Sequence, residues 1–526
     1  MKFILLIFIL GFFQHLNANS IQTSNFSKTP IVFNGRIVPF DTYARYFSKS
    51  IANNQGLAGI DPVKFCLKLL DTTVPLQDHK VFALPSKAMQ RLLNISNSTE
   101  LYSQSDLLAK DQFQQLLRFY KRTKDKTKNT DPDMVAFTNL MEKFEVFKEF
   151  VNGESLYIFP SKDPKAKWLN LPMLKDLETT DSNLPVQHLK SLLLAIKDKN
   201  QNNFDKACVD LQQFIYLKDP SIEQNRLTIE IMYNKLRPFA WSYMLYIFTL
   251  MVGVLLRKSK FWYISLCSGI FAFFFTSLGI FSRIYILNRP PVGNSYESII
   301  FASWCCIAVS LVFFHKRTKQ DIFLLGVLTT VFILSSKFVL PAAEDLLNLN
   351  AVLTSNAWLS LHVLTTVCSY AILAFSSILA HYYLYLSTKA DEPSLIIIKY
   401  IHNSIKCGVF LLGFGTVLGG IWAHNSWGRF WAWNPKETWV LITLISYLLI
   451  LHAKRVGWIK EYIVALLCIL AFILLLVAWY GVNIFLNTGE HTFSIGVASS
   501  KVAILFVLLE LLYITTIQRK RVSRYV

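Results

Sequence analysis

From about residue 239 onward the chain is a succession of apolar stretches, and no other feature constrains its fold as tightly. They run over 239–256, 261–287, 298–314, 321–340, 358–387, 404–423, 438–453, 461–484 and 497–518. A helix needs roughly 20 apolar residues to cross a bilayer. In lipid every backbone polar group must be satisfied within the segment or within a closed barrel. About nine such stretches therefore predict an all-α polytopic membrane protein. The charged fraction, 17%, is below the roughly 25% of soluble domains, which excludes an ordinary soluble enzyme.

The formal net charge of +19 would suggest nucleic acid on a soluble protein. Here the basic residues alternate with the spans. Arg257, Lys258 and Lys260, then Lys316, Arg317 and Lys319, then Lys389, Lys399 and Lys406, then Lys454, Arg455 and Lys460, and finally Arg519, Lys520, Arg521 and Arg524 fall on one side. The other side holds Arg289, Arg429 and Lys436. Cytoplasmic loops collect Lys and Arg, so the segment before the first span is expected outside and the C-terminus inside. Membrane lipid, and no nucleic acid, is the expected surroundings.

Residues 1–19 read as a signal peptide or N-terminal anchor, with an apolar run from Phe3 to Phe13 after Lys2. Residues 20–236 are polar and read as a mostly helical extracytoplasmic domain. Apolar residues three and four apart mark helices over Met89–Leu93, Leu107–Tyr120 and Met134–Phe150, with a basic loop over Lys121–Asp133. Cys66 and Cys208 lie in this half, and a disulfide between them is compatible with export. The chain has no C-x-x-C-H of its own.

The stretch that carries chemistry is 422–439, between the sixth and seventh spans. Five of the 12 Trp fall there: Trp422, Trp427, Trp431, Trp433 and Trp439. An interfacial aromatic belt spreads its Trp over many helix ends. It does not require Gly, Arg, Pro, Lys and Glu among them. A dense indole surface suits a flat, π-rich ligand, and Arg429 and Lys436 can meet its carboxylates. Haem has this character, and His is its commonest axial ligand. His362 opens the fifth span and His491 lies in the last outer loop, both on the side of the Trp-rich stretch. His452 ends the seventh span near the opposite face, where an ionisable group suggests function by default. His381 invites the same question, and His424 is a spare candidate.

The segment Trp427-Gly-Arg-Phe-Trp-Ala-Trp-Asn-Pro-Lys-Glu-Thr-Trp439 resembles the WWD motif of haem-handling proteins. Its surroundings resemble the CcsA (ResC) family of system II cytochrome c biogenesis. Trp358-Leu-Ser-Leu-His362, the stretch from Tyr447 to His452, and Gly481-Val-Asn483 followed by His491 match that pattern in order. The resemblance covers roughly residues 239–518. Asn34-Gly-Arg-Ile-Val-Pro-Phe-Asp-Thr42 resembles the linker region before the CcsA part of fused CcsBA proteins.

The resemblance implies haem b as a bound substrate, ligated by His362, His491 and His452. Trp422, Arg429 and Trp439 would help hold it, and Trp427, Trp431, Trp433, Lys436 and Glu437 would act at the reacting end. It implies export of haem and its thioether attachment to the C-x-x-C-H of an apocytochrome c, with a CcsB/ResB-like membrane partner. The location it implies is the bacterial inner membrane, with the Trp-rich loop periplasmic. The family usually has Asp where this chain has Asn434. Two other readings compete: a haem-delivery protein without ligase activity, and a polytopic transporter or scaffold for a non-haem solute.

Overall fold

The computed structural model describes residues 22–56, 60–69, 75–84, 87–93, 101–123, 132–161, 168–175, 183–313, 320–338, 346, 357–389, 395–482 and 497–525. The chain divides into two compact units, Met1–Lys235 and Leu236–Val526.

The first unit opens with a hairpin, β1 (Pro30–Phe33) against β2 (Arg36–Pro39), antiparallel with Phe33 opposite Arg36. Asn34 and Gly35 turn it, both at positive φ, 49° and 74°. Asn-Gly is the residue pair that a two-residue hairpin turn favours, because both central positions need positive φ. This hairpin is a finding that a helical reading of the segment leaves out. The remaining elements are α1 (Phe40–Gly56), α2 (Pro62–Leu69), α3 (Lys87–Leu92), α4 (Gln104–Leu108), α5 (Asp111–Thr123), α6 (Pro132–Val151), α7 (Leu171–Lys175), α8 (Asn183–Lys197), α9 (Gln201–Lys218) and α10 (Gln224–Leu236).

Periodicity therefore found the helices but not their ends. The stretch Leu107–Tyr120 is split, because Ser103 caps α4 in a box with Asp106 and the helix stops at Ala109. The Ser103 backbone and hydroxyl hold the Asp106 carboxyl below its ordinary value. The expected loop over Lys121–Asp133 gives its first residues to α5 and its last two to α6.

An aromatic core fills this unit, with Phe40, Phe47, Phe82, Phe113, Phe137, Phe150 and Phe204 fully enclosed. Glu230 is buried on α10 and receives both guanidinium nitrogens of Arg36, at 2.7 and 2.6 Å, and the Thr42 hydroxyl at 2.7 Å. A bidentate, hydrogen-bonded pair of this kind is how a buried carboxylate is tolerated. Asn234 donates to Asp41, and Arg45 pairs with the same carboxylate. The motif resembling a linker is thus the strand, turn and helix start that tie to α10. Lys143 is buried with its ammonium donating to the Ile51 and Ala83 carbonyls, and burial pushes it down to about 8. Cys66 and Cys208 are both buried free thiols. Burial raises Cys66 well above its ordinary value and Cys208 to about 12.

The second unit holds α11 (Pro238–Leu255), α12 (Tyr263–Leu287), α13 (Ser295–Phe313), α14 (Gln320–Ser335), α15 (Ala357–Ser387), α16 (Leu395–Trp427), α17 (Pro435–Arg455), α18 (Glu461–Leu476) and α19 (Val497–Tyr525). Arg237 sits in the left-handed region ahead of Pro238, which opens α11 at a position where its missing N–H is harmless. Eight helices among the described residues are long and apolar enough to span a membrane. The protein is a multi-pass, all-α membrane protein. The ninth expected stretch, 497–518, lies in α19, which is not among those eight. The sixth differs most from its expectation: α16 begins nine residues before 404 and runs on to Trp427. Its first turns mix apolar residues with Lys399 and His402, which hid the helix from a hydropathy reading.

Three charges inside the bundle are paired locally. Glu297 at the start of α13 meets Arg283 of α12 at 2.8 Å and Arg289 at 2.7 Å, all three buried. Close helix approach is set by glycines: a Cβ on Gly326 would strike Ser310, and one on Gly408 would strike Leu373. Small residues at such crossings are what membrane helix packing favours. Of the eight candidate spans, α15 is the most enclosed and α17 the least.

Candidate functional site

The site is built on three helix ends: the start of α15, the last turns of α16 and the start of α17. His362, on the second turn of α15, is half-buried. Its Nδ1 lies 2.7 Å from the Gly415 carbonyl of α16. A carbonyl only accepts, so Nδ1 carries the proton and donates it. Nε2 is left with its lone pair. Fixing one imidazole nitrogen on a carbonyl is how metal-ligating histidines are commonly oriented. The Thr366 hydroxyl lies 3.4 Å from the same Nδ1.

Glycines of α16 make room for the imidazole. A Cβ on Gly419 would fall 2.7 Å from His362 Cε1 and 2.8 Å from Nδ1. A Cβ on Gly415 would fall 2.6 Å from the Thr366 hydroxyl. At Gly420 a Cβ would strike the Phe430 ring. Gly415, Gly419 and Gly420 therefore form a floor on which His362 and Phe430 of the Trp-rich segment both rest. Sequence reasoning passed over these glycines. The signal that finds them is Gly415-x-x-x-Gly419 within an apolar span, the pattern of close helix approach.

The indoles follow. Trp422 is buried on the last turns of α16 and meets Trp427 edge-on, centroids 4.6 Å apart. Trp431 and Trp433 meet edge-on at 5.7 Å. Trp433 is 69% exposed. Its φ is 55°, left-handed backbone that a bulky residue rarely adopts. Gly428, at φ 71°, makes the turn out of α16. Trp439 lies half-buried on the first turns of α17, its carbonyl accepting from Thr443 at 2.8 Å.

The charged candidates divide. Arg429 is exposed and makes no ion pair among the described residues. Lys436 lies within electrostatic range of His362. Glu437 is bound up with backbone: its Oε2 accepts from Ala432 N at 2.9 Å and, more loosely, Asn434 N at 3.4 Å. His424 is exposed at the end of α16.

The other histidines lie elsewhere. His452 is 17 residues beyond Pro435 on α17, or about 26 Å along the axis at 1.5 Å per residue. It is exposed, and its ring meets Trp458 edge-on at 6.0 Å. His381 is 19 residues beyond His362 on α15, and both its nitrogens are engaged. Nδ1 faces the Ser377 carbonyl and Nε2 the Glu510 carboxylate of α19, each at 2.8 Å. It has no nitrogen free for a metal. His491 lies outside the described residues.

One end of the bundle thus joins an oriented imidazole, a glycine floor and five indoles. The profile of the Cytochrome C assembly protein family matches residues 292–489, which contain this whole constellation. CcsA, a cytochrome c biogenesis protein of Prochlorococcus marinus (strain NATL1A), is 30% identical over 245 residues, covering 39% of this chain and 76% of that protein. CcsA of Guillardia theta is 30% identical over 275 residues, 46% of this chain and 89% of that one. NrfI of Wolinella succinogenes is 26% identical over 493 residues, 88% of this chain. This chain spans about half, 53%, of NrfI's length. The chain belongs to the CcsA family of cytochrome c biogenesis proteins, and this membership supports a part in cytochrome c maturation.

Proposed function

We propose that the chain receives haem b as a substrate at the His362 end of its bundle and presents it for covalent attachment to apocytochrome c. The observation that carries the proposal is the His362–Gly415 hydrogen bond, which leaves Nε2 as the ligating atom beside the Trp-rich segment. His491 supplies the second axial ligand. Trp422, Trp427, Trp431, Trp433 and Trp439 stack against the macrocycle, and Arg429 and Lys436 meet its propionates. The vinyl groups are then offered to a C-x-x-C-H segment. Each cysteine thiol adds across one vinyl: the sulfur bonds to the α carbon, the proton goes to the β carbon, and a thioether results without net oxidation. The protein binds, orients and excludes water, while the macrocycle carries the reactive groups.

His452 serves an earlier haem position at the other end of α17, completed by a histidine of a CcsB/ResB-like partner. In this reading haem crosses the bacterial inner membrane from that end to the periplasmic end. The exposure of His452 on the least enclosed span fits a site finished by another chain. The test is the dithionite-reduced absorption spectrum of the purified full chain beside a His362→Ala, His491→Ala double variant. A low-spin bis-histidine spectrum lost in the variant is the expected result. Haem retained at full occupancy moves the ligands elsewhere. No haem in either chain, with the partner co-expressed, overturns the proposal in favour of a non-haem transporter.

A further inference from the structure

The turn that carries Trp431 and Trp433 ends in a reciprocal cap. Asn434 is the N-cap of α17: its Oδ1 accepts from the Glu437 backbone N–H at 2.9 Å. Glu437, at the third helical position, reaches back to the Asn434 N–H at 3.4 Å and further to the Ala432 N–H at 2.9 Å. Pro435 opens the helix between them. Thr438 adds a third tie, its hydroxyl donating to the Asn434 carbonyl at 2.9 Å. Each bond spans Trp433 or its neighbours, and Trp433 is the residue held at φ 55°. A bulky side chain stays in that region only when its surroundings over-determine it.

We propose that Asn434 and Glu437 are positioning residues that lock the Trp433 turn, and that neither touches the substrate. The proposal rests on the reading that this segment presents haem. It also accounts for the residue at 434, where the resemblance expects Asp. Asn, Asp and Ser cap helices about equally well, because each offers one oxygen to the backbone N–H two or three residues on. The cap needs an acceptor oxygen and no charge, so the amide does the work of the carboxylate. By the same argument the working atom of Glu437 is a carbonyl-type oxygen, which Gln also provides in a capping box.

The experiment uses the full chain, as purified with haem, in five forms: Asn434→Asp, Asn434→Ser, Asn434→Ala, Glu437→Gln and Glu437→Ala. Near-ultraviolet circular dichroism reads the packing of the indoles, and haem content and midpoint potential read the substrate. Loss of a cap is expected to lower the ratio of ordered to disordered turn about five-fold in the two Ala forms. Haem content should fall with it. The Asp, Ser and Gln forms should return both signals, and the haem retained should keep one midpoint potential in all five. Two outcomes overturn the proposal. In one, Asn434→Asp or Glu437→Gln behaves like Ala. In the other, the potential moves in Asn434→Asp while the dichroism does not, which would mean direct action on the haem. If the unsubstituted chain holds no haem, the haem reading fails by itself, and the order of the dichroism signals still tests the cap.

Discussion

The two ends of α17 carry the same kinds of residue in opposite states of completion. At its start, beside His362, the imidazole is held by a carbonyl, seated on glycines and walled by indoles whose turn is capped. At its far end His452 is exposed, with one edge-on contact to Trp458 and no side-chain hydrogen bond among the described residues. A ligand atom that is already oriented forfeits little conformational freedom on binding, whereas a free imidazole must be ordered by whatever binds it. The difference teaches that one end is preorganised by this chain itself. The other is left exposed by this chain, as the proposed partner-completed haem position requires.

The largest expected effect breaks the comparison outright. His362→Ala should remove about a hundred-fold or more of the haem affinity of the isolated chain, because a ligating atom and its orienting bond go together. His452→Ala should leave the isolated chain's spectrum as it was, measured by titration of haem into the stripped protein. A loss in His452→Ala as large as in His362→Ala would reverse the assignment of the two ends. Gly419→Val comes next. Its side chain would occupy the space of the imidazole, so haem affinity should fall about ten-fold while helix content stays, by the same titration and far-ultraviolet dichroism. An unchanged affinity would mean that His362 binds in another rotamer.

Two smaller effects sharpen the contrast. Thr366→Val removes one weak tie on Nδ1 and keeps the Gly415 bond, so the loss should stay within about three-fold. Resonance Raman of the iron–histidine modes would reveal a larger change. Trp458→Ala should alter nothing in the isolated chain, but should weaken haem retention when the CcsB/ResB-like partner is present. An equal effect with and without the partner would show that His452 needs no second chain.

Much of this was legible in the residues. Hydropathy found the eight spanning helices to within a few residues at most ends, because burial in lipid leaves little freedom in composition. The exceptions have physical causes. The start of α16 carries Lys399 and His402 among its apolar residues, which lowers its hydropathy, while Glu461 lies 3.4 Å from His402 and pairs with Lys454. The hairpin at Asn34-Gly35 depended on a two-residue turn signal within a segment otherwise helical in composition. At the site, the Trp cluster and His362 stood out by residue type alone. Gly415 and Gly419 did not, since a glycine in a span announces close approach without saying to what.

Sequence by itself determined that this is a polytopic helical membrane protein of the CcsA family with a Trp-rich, His-flanked segment, because period, length and residue type are local properties. Tertiary structure alone decided which nitrogen of His362 is free and that His381 is engaged at both nitrogens. Those outcomes depend on atoms brought together from helices far apart in the chain. A hydrogen bond is settled by a few tenths of an ångström, which no spacing in a sequence encodes.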